Sequence, residues 1–311
     1  MTTDERISVS PAEERATGVG PHGIDLAYQR FGDPAAPPLL LIMGLAAQMV
    51  NWPDALCHQL AARGLHVIRF DNRDAGRSTH FTDAPAPDLP AALAGDLSSA
   101  SYTLGDMAAD AVGLLDALGI ASAHLFGVSM GGEIAQTIAI EHPRRVRSLT
   151  LMMATTGDRR VGQPDPAVLP LLFGGPPATT REDVIAQALR ASRVVGSPGF
   201  ARDEAEIAAR AGRAFDRNFD PVGIARQAVA QVASGDRTAR LATLDVPTLV
   251  IHGLADRMRD ASGGRATAAA VPGAELWLVE GLGHDLPREL WPELVRRLAA
   301  HIERAEASRV R

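Results

Sequence analysis

No lysine occurs anywhere in this sequence: all 31 basic side chains among its 311 residues are arginine. Schiff-base chemistry, a serine–lysine dyad and a P-loop phosphate lysine are therefore excluded. Cysteine is almost absent too. Cys57 stands alone, so no internal disulfide can form, and a reducing cytoplasm is the expected setting. Aromatic residues make up only 4% of the chain, so a core drawn from its 46% of apolar residues must pack aliphatic side chains and alanine. Long hydrophobic runs are missing, since the longest, around Pro38 to Ala47, is too short to span a bilayer. The stretch Met1–Arg6 is acidic to mixed with no hydrophobic segment behind it, so neither a secretory signal nor membrane insertion is expected. Basic runs are lacking as well, and the formal net charge of −6 argues against nucleic acid as a partner.

What is present is a set of short apolar runs alternating with helical patterns. Residues 1–12 are polar without periodicity and read as a flexible tail. Arg15–Gly20 and Ile24–Phe31 form a predicted hairpin across Pro21-His22-Gly23. Buried-type strands follow at Leu39–Ile42, Leu65–Phe70, Ala123–Phe126, Ser148–Met153, Pro247–Ile251 and Ala274–Val279. Helical patterns cover Leu104–Leu118, the segment from Gly132 to about His142, and a closing helix at Trp291–Arg304. Buried strands alternating with helices predict an α/β fold with a mostly parallel, doubly wound sheet. Between residues 155 and 243 the strands stop, and three helical patterns appear at Arg181–Val195, Arg202–Phe219 and Gly223–Ser234. This stretch reads as a helical cap after the sixth strand, over the sheet edge where α/β proteins bind ligands. Residues 13–154 and 244–311 then form the core. Phe173, Phe200, Phe215 and Phe219 are individually read as cap core, with at least one of them expected to line a pocket.

Gly127-Val128-Ser129-Met130-Gly131 sits where a strand run passes into a helix. A G-x-S-x-G pattern in that context predicts a nucleophile elbow, in which small residues let the chain turn sharply and project the serine hydroxyl. A second glycine pattern, Gly18-Val19-Gly20-Pro21-His22-Gly23, matches the dinucleotide fingerprint in letters only. A strand rather than a helix follows it, and Pro21 removes a backbone donor, so no nucleotide is expected there.

A serine needs a base to take its proton and a third group to orient that base. In this chain order the acid precedes the histidine. His284 follows the last strand in the loop Glu280-Gly281-Leu282-Gly283 and is the predicted general base. His301 lies inside the closing helix and reads as a surface residue, and Asp285 is expected to point away if the loop is tight. Asp256 lies just past the strand ending at Ile251 and 28 residues before His284, room for one helix and one strand. Asp260 and Asp245 are the weaker candidates, the latter at the wrong end of its strand. The oxyanion of a tetrahedral intermediate needs backbone donors, assigned to Met130 and Leu45, with Gly44 as the alternative to Leu45. The run Asp71–Ser78 reads as a hydrogen-bonded structural loop. His58, His66 and His124 lack metal-ligand spacing and no H-E-x-x-H occurs, so neither metal nor cofactor is implied.

With these residues in view, the chain resembles the α/β-hydrolase superfamily, and more narrowly bacterial esterases of the aclacinomycin methylesterase type. The resemblance rests on Leu41-Ile42-Met43-Gly44, Asn51-Trp52-Pro53, Gly64–Asp71, Asp74–Thr79 and Gly283-His284. It implies a cofactor-free carboxylic ester hydrolase, with methyl esters of aromatic polyketides as one substrate class; the assembly is left open between monomer and homodimer. Carbon–carbon bond cleavage, lactone hydrolysis and perhydrolysis would use the same residues, and a non-catalytic small-molecule receptor is the alternative of another class. Epoxide hydrolase and dehalogenase chemistry is disfavoured, because those relatives carry a carboxylate where Ser129 stands.

Overall fold

A computed structural model describes residues 10–309 except Pro176. Its eight strands are β1 (Glu14–Val19), β2 (Ile24–Phe31), β3 (Pro38–Ile42), β4 (His66–Phe70), β5 (Ala123–Val128), β6 (Val146–Met152), β7 (Thr248–Gly253) and β8 (Glu275–Val279). They form one sheet in the order β1-β2-β4-β3-β5-β6-β7-β8. Only the pairs β1–β2 and β2–β4 are antiparallel. Every residue of β3, β4, β5 and β7 is buried, which is why these strands read as mainly apolar runs rather than alternating ones.

Alternate residues of each strand serve different faces. Leu40, Ile42, Ile68, Leu125 and Leu149 face one layer, formed by α3 (Leu104–Ala117) and α4 (Met130–Glu141). Leu39, Leu41, Val67, Phe126 and Ile251 face the other, formed by α1 (Asp54–Ala61) and α11 (Trp291–Arg309). Each large aliphatic side chain buried this way contributes roughly 1.5–3 kcal/mol. The short helix α2 (Leu89–Leu93) follows β4, and α10 (Ser262–Ala270) joins β7 to β8. The insertion between β6 and β7 holds α5 (Leu169–Phe173), α6 (Arg181–Val195), α7 (Glu204–Arg217), α8 (Pro221–Ala233) and α9 (Thr238–Leu241). Thr180 caps α6 and Asp203 caps α7, each accepting a hydrogen bond from the third residue of its helix. Among the described residues no helix is long and apolar enough to cross a membrane. The expected tail at residues 1–12 falls largely outside the described residues, which begin at Ser10.

One expectation is overturned here. His301 is only 3% exposed. It shares the sheet-facing stripe of α11 with Leu294, Leu298, Ile302 and Ala305, spaced at three and four residues, and so is carried inside by the helix period. His124, on β5, is buried beside it and is pushed down to about 3 by desolvation, with repulsion from Arg147, His301 and Arg309. The carboxylate of Glu306, 3.2 Å from its Nε2, is the opposing charge. A folded-state value below the unfolded one means the native protein resists a proton that the unfolded chain accepts. Stability is therefore full above the ordinary histidine value near 6.5 and falls as the pH drops from there toward about 3. The expected slope for this group alone is about 1.4 kcal/mol per pH unit. Urea unfolding from pH 7 to 4.5 should show a shallower acid limb in His124→Gln, and an unchanged slope would contradict this account.

Candidate active site

Ser129 occupies the sharp turn between β5 and α4 with φ 55° and ψ −124°, a conformation that L residues rarely adopt. The flanking glycines make the turn sterically feasible. A side chain at Gly127 would overlap the backbone of Gly131, and one at Gly131 would overlap the Ile42 carbonyl at the end of β3. The Ser129 N–H donates to Met152 O (2.9 Å), pinning the turn to the end of β6. The serine thus stands at the carboxyl edge of the sheet, at the N-terminus of a buried helix whose partial positive charge favours an anion.

The structure brings Ser129, His284 and Asp256 together. His284 Nδ1 lies 2.8 Å from Asp256 Oδ2, and Nε2 lies 3.1 Å from Ser129 Oγ. A carboxylate can only accept, so Nδ1 carries the proton and Nε2 is left to accept from the serine hydroxyl. Asp256 is buried, and its Oδ1 accepts from the N–H groups of Met258 (2.9 Å) and Arg259 (2.8 Å). Those two bonds fix which oxygen faces the histidine. His252, 3.7 Å from the same carboxylate, donates its Nε2–H to Arg259 O (2.8 Å). Burial holds His252 below the usual histidine range, so it does not compete as a cation. Asp260 instead accepts from Gln163 and Ser262, and Asp245 is exposed ahead of β7.

The N–H groups of Leu45 and Met130 donate to no described residue. A Cβ on Gly44 would lie 3.0 Å from Ser129 Cβ and 3.5 Å from Met130 N, which shows how tightly the loop after β3 presses on the elbow. That loop is held from the insertion: Ala46, at φ 63°, donates its N–H to Gln227 Oε1 on α8 (3.3 Å). The helix α8 is further bonded to the core by Arg226 on Asp74 (2.9 Å), Gln227 on Arg73 O (2.7 Å) and Gln231 on Glu133 (2.8 Å). The loop Asp71–Ser78, read as structural, serves this purpose. Asp71 accepts from Met49 N–H (2.7 Å) and pairs with Arg217 of α7.

Sequence reading missed the brace on His284. Its N–H donates to Val195 O (2.7 Å) at the end of α6, and the Gly283 N–H donates to Ser197 Oγ (2.9 Å). Ser197 in turn donates to Asp285. A Cβ on Gly283 would lie 2.5 Å from the Gly196 backbone, so glycine is what lets the two loops meet. Nothing local in the run Gly196-Ser197-Pro198-Gly199 announces its partner. Asp285 also departs from expectation: held by Ser197, it lines the cavity instead of pointing away.

The cavity in front of Ser129 measures about 240 Å³. Met43, Leu45, Pro53, Val128, Met153 and Leu286 give it apolar walls, with Asn51, Arg210 and Asp285 as its polar groups besides Ser129 and His284. Phe200, Phe215 and Phe219 do not line it, and the remaining candidate, the Phe173 side chain, lies outside the described residues. Phe200 packs on the core, and Phe215 stacks on Phe219 at 5.7 Å. A more open hollow of about 490 Å³ lies near Glu13, Arg77 and His80, but its charges are paired with one another, Arg217 with Glu13 and Asp71 for example. Asp74, His80 and Asp220 converge as metal ligands could, yet the guanidinium of Arg226 already contacts Asp74 (2.9 Å) and Asp220 (3.5 Å). A cation there would have to displace an arginine.

Comparison with known proteins agrees with this architecture. The model of the alpha/beta hydrolase fold family matches residues 37–287. A rhodomycin D methylesterase of Streptomyces sp. (strain C5) is 30% identical over 306 residues, covering 91% of this chain and 96% of that protein. The rhodomycin D methylesterase of Streptomyces peucetius is 29% identical over 307 residues with the same coverage. Among solved structures, the enol-lactonase from Burkholderia xenovorans LB400 superposes with a TM-score of 0.72 at 23% identity, covering 93% of this chain and 100% of that one. The chain belongs to the α/β-hydrolase fold family, and within it is similar to the rhodomycin D methylesterases.

Proposed function

We propose that this protein is a serine carboxylic ester hydrolase that works through a Ser129 acyl-enzyme. The observation that carries the reading is the continuous relay from Asp256 through His284 to Ser129, opening on a cavity beside unengaged backbone donors. In this reading His284 Nε2 takes the hydroxyl proton as Oγ attacks the ester carbonyl. Met130 and Leu45, or Gly44 in its place, donate N–H groups to the oxyanion. His284 then gives the proton to the departing alcohol oxygen, leaving the acyl group on Oγ. Water repeats the cycle: His284 takes a proton as the water oxygen bonds to the acyl carbon, then returns it to Oγ as the acyl–Oγ bond breaks, and the carboxylic acid leaves with the serine hydroxyl restored. Asp256 stays ionised throughout and holds the imidazolium.

The insertion acts as a cap. Its α7 supplies part of the cavity wall and its segment 195–199 braces the histidine loop. A cavity of about 240 Å³ with apolar walls suits a small ester, or the ester-bearing end of a larger one such as a methyl ester of an aromatic polyketide. No step calls for a metal or cofactor.

The test is pre-steady-state hydrolysis of p-nitrophenyl esters from acetate to decanoate. The expected result is a burst of one p-nitrophenolate per chain, with the acyl mass found on Ser129 and a chain-length optimum that sizes the cavity. A folded wild-type protein that turns over none of them would overturn the reading in favour of carbon–carbon cleavage or a receptor.

A further inference from the structure

Among the described residues, each arginine buried in the core pairs closely with a carboxylate. Arg73 is fixed by Asp110 (2.6 Å), Arg226 by Asp74 (2.9 Å) and Arg237 by Glu133 (3.1 Å). Arg210 is different. It projects from α7 into the wall of the cavity that holds Ser129 and His284, its side chain 24% exposed. Its guanidinium makes no hydrogen bond to any described residue. The nearest carboxylate oxygen, Glu206 Oε1, is 3.8 Å away on the same helix and is already held at 3.1 Å by Arg213. Asp285, which lines the same cavity, accepts from the Ser197 hydroxyl. Burial outweighs the attraction of Glu206, Asp285 and Asp203 and draws Arg210 below the ordinary arginine value. The cation remains charged but under-compensated, with a planar fork of donors turned to an otherwise largely apolar cavity.

Resting on the esterase reading above, we propose that Arg210 is a specificity-determining residue that binds a carboxylate borne by the substrate, so that the preferred esters are half-esters of dicarboxylic acids or esters of comparable acids. A guanidinium matches a carboxylate with two parallel N–H···O bonds, a fit that a lone neutral carbonyl cannot fill. Its place on α7, in the wall of the cavity that Ser129 and His284 also line, would hold the acidic end of such a molecule while its ester end meets Ser129. A neutral ester would shield the guanidinium from water without giving it a charged partner, which is unfavourable in a largely apolar pocket. Discrimination therefore comes from the empty fork as well as from the filled one.

The test compares the monomethyl esters of succinic, glutaric and adipic acids with the same molecules carrying a terminal carboxamide. p-Nitrophenyl acetate is the reference substrate, and a pair member that is not turned over is read as its competitive inhibitor. Wild type is expected to favour the carboxylate member of at least one pair by roughly 10- to 100-fold, the range of a charge-assisted pair in a pocket. In Arg210→Met that ratio should fall to about one, chiefly through KM or Ki, while Arg210→Lys keeps part of it. The ratio within one protein cancels any general change in turnover. A wild-type ratio near one with p-nitrophenyl acetate still hydrolysed overturns the Arg210 assignment and leaves the esterase reading standing. So does a ratio that survives in Arg210→Met. Failure of folded wild type to hydrolyse p-nitrophenyl acetate removes both.

Discussion

Ser129→Ala is expected to lower kcat/KM for p-nitrophenyl acetate by roughly 10⁴-fold or more, because removing the attacking atom disables base and acid along with it. What survives should reflect only binding and the backbone donors of the oxyanion site. The loss must be separated from misfolding, and the elbow offers a way to do so. Ser129 sits at φ 55° and ψ −124°, where a non-glycine residue costs about 1–3 kcal/mol. Glycine adopts that conformation without a Cβ clash, though it gives up about 0.5–1 kcal/mol to the freedom of the unfolded chain. Ser129→Gly should therefore be as inactive as Ser129→Ala and yet more stable than wild type, by about 1 kcal/mol. Steady-state kinetics and urea titration on the three proteins check both halves. Substantial esterase activity in either variant would move the nucleophile elsewhere, and a destabilised Ser129→Gly would contradict the strain argument.

The parts of this molecule that were legible in its sequence are those written in local periodicity. Strands buried on both faces leave mainly apolar runs, so β3, β4, β5 and β7 could be placed within a residue or two. The elbow is legible because its backbone demands small residues at 127 and 131 within five positions of each other. Chain order then singled out Asp256 and His284, and these are the groups that converge on Ser129 in space. What stayed hidden depends on contacts across long sequence separations. Ser197 and Gly283 are 86 residues apart, and nothing near either predicts the other. Arg210 looks like any charged residue on an amphipathic helix until α7 is laid over the sheet edge. His301 was misjudged for a simpler reason, since a polar residue was weighed by its type rather than by its place in the apolar stripe of α11.

That same long-range geometry makes a second substitution unusually informative. Asp256→Asn should leave the fold intact but lower kcat/KM by about 10³- to 10⁴-fold, through the tautomer of His284. The two N–H groups of Met258 and Arg259 already hold Oδ1, and an amide must keep its oxygen there to accept from them. Its NH₂ group is then forced to face His284 Nδ1, in the place of Asp256 Oδ2. A donor facing Nδ1 requires that nitrogen to be the acceptor, so the ring proton moves to Nε2. There it points at Ser129 Oγ, and the base can no longer accept the hydroxyl proton. The lost carboxylate also leaves the imidazolium of each acylation step without its counter-charge. Because the side chain is isosteric and its backbone bonds persist, the unfolding midpoint should move little. The downfield proton resonance of His284 Nδ1–H, expected in wild type, should vanish in the variant. Near-normal turnover with that resonance gone would mean that Asp256 merely supports the loop, since the tautomer would then have changed without consequence for the rate.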